Sequence, residues 1–178
     1  NTKAIEFLSK VTDWKDEFQY VIHINDGSRA HADIFDDPPG ITVAPNEKAT
    51  VILHEIAHLV EVKIPGNLEK TVDFLRYRHK GQQPQKLKDI FPDGNFRDEE
   101  IGAPDDFAKA FASPNRSPRE AERLAYYTGK VYFRQDGTQY ATEIITMGVE
   151  ELFRDPIGFA KRDPEYCQFL LHCLRGGK

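Results

Sequence analysis

The chain has 178 residues, room for one domain, and 24 Lys and Arg against 29 Asp and Glu leave it at −5. Residues of the apolar set make up 39%, close to the globular norm, which excludes general disorder, and the acidic balance speaks against a nucleic-acid scaffold. No run of 18 apolar residues predicts a membrane span.

The spacing of Ile5, Leu8, Val11 and Trp14 predicts one amphipathic helix and a turn over residues 4–20. Tyr20 to Ile24 reads as a strand, Asn25 to Gly27 as a hairpin turn, and Ser28 to Phe35 as the partner strand. Residues 41–44 supply a third short strand. Residues 46–62, with Asn46 as the expected cap, carry the widest apolar face of the chain, and Pro65-Gly66 ends that helix. A second helix over 67–78 follows.

The texture changes between 80 and 118, where prolines, glycines and acidic clusters replace periodicity. This span is expected to be an irregular insertion or lid. It has an apolar side of Ile101, Phe107 and Phe111. Its negative side of Asp98, Glu99, Glu100, Asp105 and Asp106 would favour basic peptides. Order resumes at Ser117, whose pairing with Glu120 and Pro118 spells a helix start. A hairpin around Asp136-Gly137 precedes two more helices, over 142–155 and, behind Asp163-Pro164, over 163–176. Cys167 and Cys173 are too few for a disulfide framework and are expected as buried thiols of that last helix. The whole is an α+β fold: a small mixed or antiparallel sheet packed against the central helix and a C-terminal helical part, in a single domain spanning 1–178.

His54-Glu55-Ile56-Ala57-His58 carries the chemistry. Four residues advance a helix by just over one turn, so both imidazoles leave one face and can share one Zn²⁺. Glu55 is placed to act as a base on water without being a ligand. Six His and 14 Glu in 178 residues would write this pattern by chance roughly 0.016 times. Position 61 is Glu and position 64 is Ile, so a third histidine does not follow on the same helix. His79, His172 and a carboxylate from a second helix are the alternatives. Tyr126, Tyr127, Tyr132, Tyr140 and His31 are the candidate oxyanion donors, and His23 and His31 are strand residues near the motif.

The motif helix together with a later glutamate-bearing helix resembles the gluzincin-like metallopeptidases, a branch of the zincins. The resemblance covers some 40 residues. The tail from Thr142 to Pro156 has a weaker likeness to domains of phage-head-associated and bacterial toxin-like proteins. The first resemblance implies a zincin-like fold and a zinc-dependent peptidase, an endopeptidase rather than an exopeptidase, acting on a polypeptide. It implies His54, His58 and Glu143 as ligands, with Glu150 as the other carboxylate to weigh, Glu55 as general base and Tyr140 as an oxyanion donor. The alternative is a non-catalytic zinc-containing binding or structural domain of a larger bacterial or phage protein. Met147 is expected in the core, and Gly148 is expected to admit the motif helix. The chain opens on Asn1, which fits a trimmed piece of a longer protein or the loss of a signal peptide. Soluble secreted, delivered and cytoplasmic forms all stay open.

Overall fold

The computed structural model describes residues 2–12, 19–25, 27, 29–103 and 107–176. Its elements in chain order are mixed α and β. Helix α1 (Thr2–Val11) is followed by strands β1 (Val21–Ile24), β2 (His31–Asp33) and β3 (Gly40–Val43), then helices α2 (Ala49–Lys63) and α3 (Asn67–His79). Trp14 lies outside the described residues.

The three strands do not form the expected hairpin. Their order is β1-β3-β2, with β1 parallel and β2 antiparallel to β3. Strand β3, Gly-Ile-Thr-Val, is buried at every position, whereas β1 is exposed throughout. The most buried strand takes the centre and separates the two that are adjacent in sequence. The sheet is therefore mixed, and β2 is one of its edges.

Helix α2 is the centre of the molecule. Leu53, Ile56, Ala57, Leu59 and Val60 are fully buried, and each large aliphatic among them contributes about 2 kcal/mol of transfer energy. The helix starts at Ala49 behind Lys48, which makes no side-chain cap. The expected Asn46 cap falls two residues too early. Gly66 adopts a left-handed φ of 79° between α2 and α3, which only glycine does without strain.

Among its described residues the 80–118 span holds four short elements: β4 (Gln85–Lys86), α4 (Leu87–Ile90), β5 (Ile101–Gly102) and α5 (Ala108–Phe111). Phe107 and Phe111 are fully buried core residues, packed with Phe74 and Tyr166 in the case of Phe107. They do not form an apolar roof over a substrate. The end of the span is pinned by Arg116, which donates to buried Glu151 at 2.7 Å while Arg162 donates to the other oxygen at 2.7 Å. Glu151 is thus a buried anchor rather than part of a solvated face. Arg78 is likewise fully buried and pairs with Asp163 at 2.8 Å.

Helix α6 (Pro118–Thr128) begins as its sequence dictates, with Ser117 accepting from the Glu120 amide. Strands β6 (Val131–Phe133) and β7 (Gln139–Thr142) form the expected hairpin, turning at Gly137. Helices α7 (Ile144–Arg154), α8 (Pro156–Arg162) and α9 (Pro164–Leu174) complete the chain, and α7 packs along α2. A side chain at Gly148 would meet Leu170 and Tyr166 of α9, so this glycine admits α9 and not the motif helix. Cys167 and Cys173 are free and buried on α9. Among the described residues no helix is long and apolar enough to cross a membrane.

Candidate metal centre

His54 and His58 project from the same face of α2, their ring centroids 5.1 Å apart. Glu143 reaches them from the end of the β6–β7 hairpin, at the residue that caps α7. Its Oε2 lies 3.2 Å from His54 Nε2 and 3.6 Å from His58 Nε2. One ligand atom from each of the three residues falls within 4.8 Å of the others. His79 and His172 are not part of this set; His79 is buried near the end of α3 and His172 is exposed on α9.

The outer contacts aim this set inward. The His54 Nδ1 atom is 2.9 Å from Glu150 Oε1, so an Nδ1–H donated to that carboxylate fixes the ring with Nε2 turned toward Glu143. Glu150 is in turn held by Arg154 at 2.8 Å. Glu150 therefore stands behind His54, on the side of the ring away from Glu143. Glu143 is 1% exposed, and both its oxygens are engaged. The Tyr132 hydroxyl donates to Oε1, with the Lys130 amine 3.5 Å from the same atom, while Thr146 Oγ1 donates to Oε2 at 2.7 Å.

The charges here depend on one another. Burial works against the Glu143 charge, but His54, His58 and Lys130 outweigh it and hold the carboxyl well below its ordinary range. Burial also works against charging His54; Glu143 and Glu150 overcome it and raise that imidazole. Burial lowers His58, with the neighbouring His54 and Lys130 charges adding to the effect. Two imidazoles and one anionic carboxylate thus converge closely enough that they could hold a metal ion. The donor set of two nitrogens and one carboxylate oxygen matches what a catalytic Zn²⁺ takes from a protein.

Glu55 follows His54 directly. Burial pushes its carboxyl up to about 7, with Glu143 adding to the rise and His54 opposing it. Glu55 and the three ligand residues line a cavity of about 550 Å³ with Tyr132, Tyr140 and Lys130. A second cavity of about 540 Å³ adjoins it, sharing Arg29, Ala30, His54, Glu55 and Tyr127. Of the tyrosines, Tyr132 is committed to Glu143 and Tyr127 accepts from Arg29 at 3.4 Å. Tyr126 packs on Phe91. Tyr140 packs at a tilt against Phe35 and Tyr132, lines the cavity and has no hydrogen-bond partner for its hydroxyl among the described residues. His31 lines the same cavity with its Nε2 3.4 Å from Asp33, whereas His23 stands on exposed β1.

Sequence reasoning did not find Lys130, Thr146 or Glu61. Glu61 is fully buried on α2, one turn beyond His58. It accepts from the Thr142 amide at 2.8 Å and from the Thr142 hydroxyl. Thr142 precedes Glu143, so the helix that bears both histidines also fixes the approach of the third side chain. A glutamate placed three residues after the second histidine is the one signal that pointed to it.

Glu61 has a consequence for stability. Burial raises its carboxyl from 4.5 to about 7, against the opposing bonds from Thr142 and Thr71. The folded chain then holds this proton more tightly than the unfolded chain. Stability from this group is fully present below pH 4.5 and is lost as the pH rises to 7, by about 3 kcal/mol. Glu61→Gln removes the titration and keeps an acceptor for the amide. Urea melts in a chelator should show the variant gaining about 3 kcal/mol on the wild type between pH 4.5 and pH 8. An unchanged difference would mean that Glu61 has the same proton affinity folded and unfolded.

Comparison with protein families, with curated proteins and with solved structures found no match to this chain.

Proposed function

We propose that the protein is a zinc-dependent endopeptidase with a zincin-like arrangement of its sheet and motif helix. The observation that supports this reading best is the convergence of His54, His58 and Glu143, with Glu150 orienting His54 from behind and Glu55 facing the same cavity. Bound there, Zn²⁺ supplies Lewis acidity and lowers the pKa of water to near neutrality.

The residues of the chain supply the rest. Glu55 takes a proton from the attacking water and passes it to the departing amine. A carboxyl near 7 suits both halves of that transfer at neutral pH. The Tyr140 hydroxyl is available to donate to the developing oxyanion, because no other described residue uses it. Tyr132, Lys130 and Thr146 hold Glu143 in place. Strand β2, an edge of its sheet among the described residues, lines the cavity through His31 and Ala32, where an extended polypeptide can add as a further strand. Cavities on both sides of His54 and Glu55 accommodate chain before and after the cleaved bond, which favours an endopeptidase.

Two measurements on the purified protein test the reading. Elemental analysis after zinc supplementation and dialysis should give one equivalent of metal. Digestion of a random peptide library should give internal cleavages that a chelator abolishes and zinc restores. Metal at one equivalent with an uncut library would leave the other function, a zinc-containing binding domain.

A further inference from the structure

We propose that the cavity walled by His31, Tyr140, Arg29 and Arg97 takes an acidic substrate side chain, so that cleaved peptides carry Asp or Glu on one side of the scissile bond. This rests on the peptidase reading above and names its substrate class.

The charge on the wall decides the point. The chain as a whole stands at −5, yet Arg29, Arg97 and Lys130 all face this cavity. The anionic groups facing it are Glu55, Glu100 and Glu143. Glu143 is turned onto His54 and His58, with the Lys130 amine beside its other oxygen. Glu100 accepts from Lys130 Nζ at 2.7 Å and from the Arg97 amide at 2.8 Å, so it neutralises Lys130. Glu55 is buried and, in the peptidase reading, is taken up by the attacking water. Arg29 and Arg97 are left. Neither has a carboxylate within ion-pair distance among the described residues, and the one side-chain bond of Arg29 goes to the Tyr127 hydroxyl. Both are exposed, ready to meet a ligand. A guanidinium presents paired N–H donors that match a carboxylate, and a zinc ion nearby adds to the positive field.

This reverses the expectation of basic peptides drawn from the acidic stretch. Asp98 is turned to Lys88 at 2.6 Å and Glu100 to Lys130, while Asp105 and Asp106 lie outside the described residues. Of the residues this stretch brings to the cavity, Glu100 is paired with Lys130 and Arg97 is left to meet a ligand. The neighbouring Phe96 lines the other cavity, whose wall mixes Val51, Leu124 and Met147 with Glu47, Arg123, Glu150 and Arg154.

The test uses two readouts. Zinc-loaded wild type and Arg97→Glu digest the same random library, and the cut sites are read by mass spectrometry. Wild type should enrich Asp and Glu on one side of the bond. Arg97→Glu should lower kcat/KM for acidic peptides about fivefold and move that position toward Lys and Arg. The second readout avoids turnover: fluorescence anisotropy with zinc-loaded Glu55→Gln protein and a labelled alanine-rich peptide carrying one central Asp or one central Lys. The Asp peptide should bind about fivefold more tightly, and Arg97→Glu in the same background should abolish the difference. Equal affinity for the two peptides overturns the inference, whether or not cleavage occurs. An uncut library with the Asp preference intact overturns the peptidase reading alone.

Discussion

Glu55→Gln should keep one equivalent of zinc and lose peptide hydrolysis by about a thousandfold, within the range that a positioned acid–base group supplies. The amide has the size of the carboxylate and leaves His54, His58 and Glu143 untouched. It removes only the group that can accept and return a proton. The loss should fall on kcat with KM little changed, because substrate binding uses the cavity walls and not this proton. The wild-type profile should rise on the alkaline side as Glu55 ionises through about 7, since its base form does the work. Steady-state cleavage of the best library peptide across pH 5 to 9 checks both points. Full activity in the amide variant would remove Glu55 from the role of base.

Glu143→Ala should be the most damaging change to metal binding. It takes away a ligand atom and also leaves the buried Lys130 amine and Tyr132 hydroxyl without their shared acceptor. Outer-shell changes at metal sites cost 10–100-fold in affinity. Loss of this ligand should therefore raise the zinc Kd by about a thousandfold, measured against a chromophoric chelator. Glu150→Ala should fall in the smaller range, about tenfold to a hundredfold, because it frees the His54 ring without removing a donor. A larger loss in Glu150→Ala than in Glu143→Ala would exchange the two roles.

The pair of histidines was legible because helical spacing alone fixes their common face. Glu143 was reached through a resemblance, and the reason it belongs with them is tertiary: β7 delivers it, and Glu61 on α2 catches the residue just before it. The helix starts at Ser117 and Asp163 followed from local capping chemistry, which acts over three residues and can be read directly. The hairpin of β1 and β2 was misread because local turn residues compete with a third strand that buries more apolar surface. Gly148 was misread for a similar reason, and the cation partners of the acidic stretch were hidden for the same one. Which neighbour a small residue admits, and which cation quenches a carboxylate, depends on packing between distant elements.

The separation of the converging side chains along the chain has a consequence for how the protein is made. Residue 143 follows residue 58 by 85 positions (143 − 58). Drawing those positions together closes a long loop, and the entropy of that closure has to be overcome by the packing of α7 on α2. On the ribosome, where domains emerge from the N-terminal end, α2 leaves the exit tunnel with both histidines and no partner for them. A nascent chain halted anywhere before β7 holds His54 and His58 on one helix face without Glu143. On the peptidase reading, activity would therefore arise only once the Thr142–Glu143 step has been translated and docked.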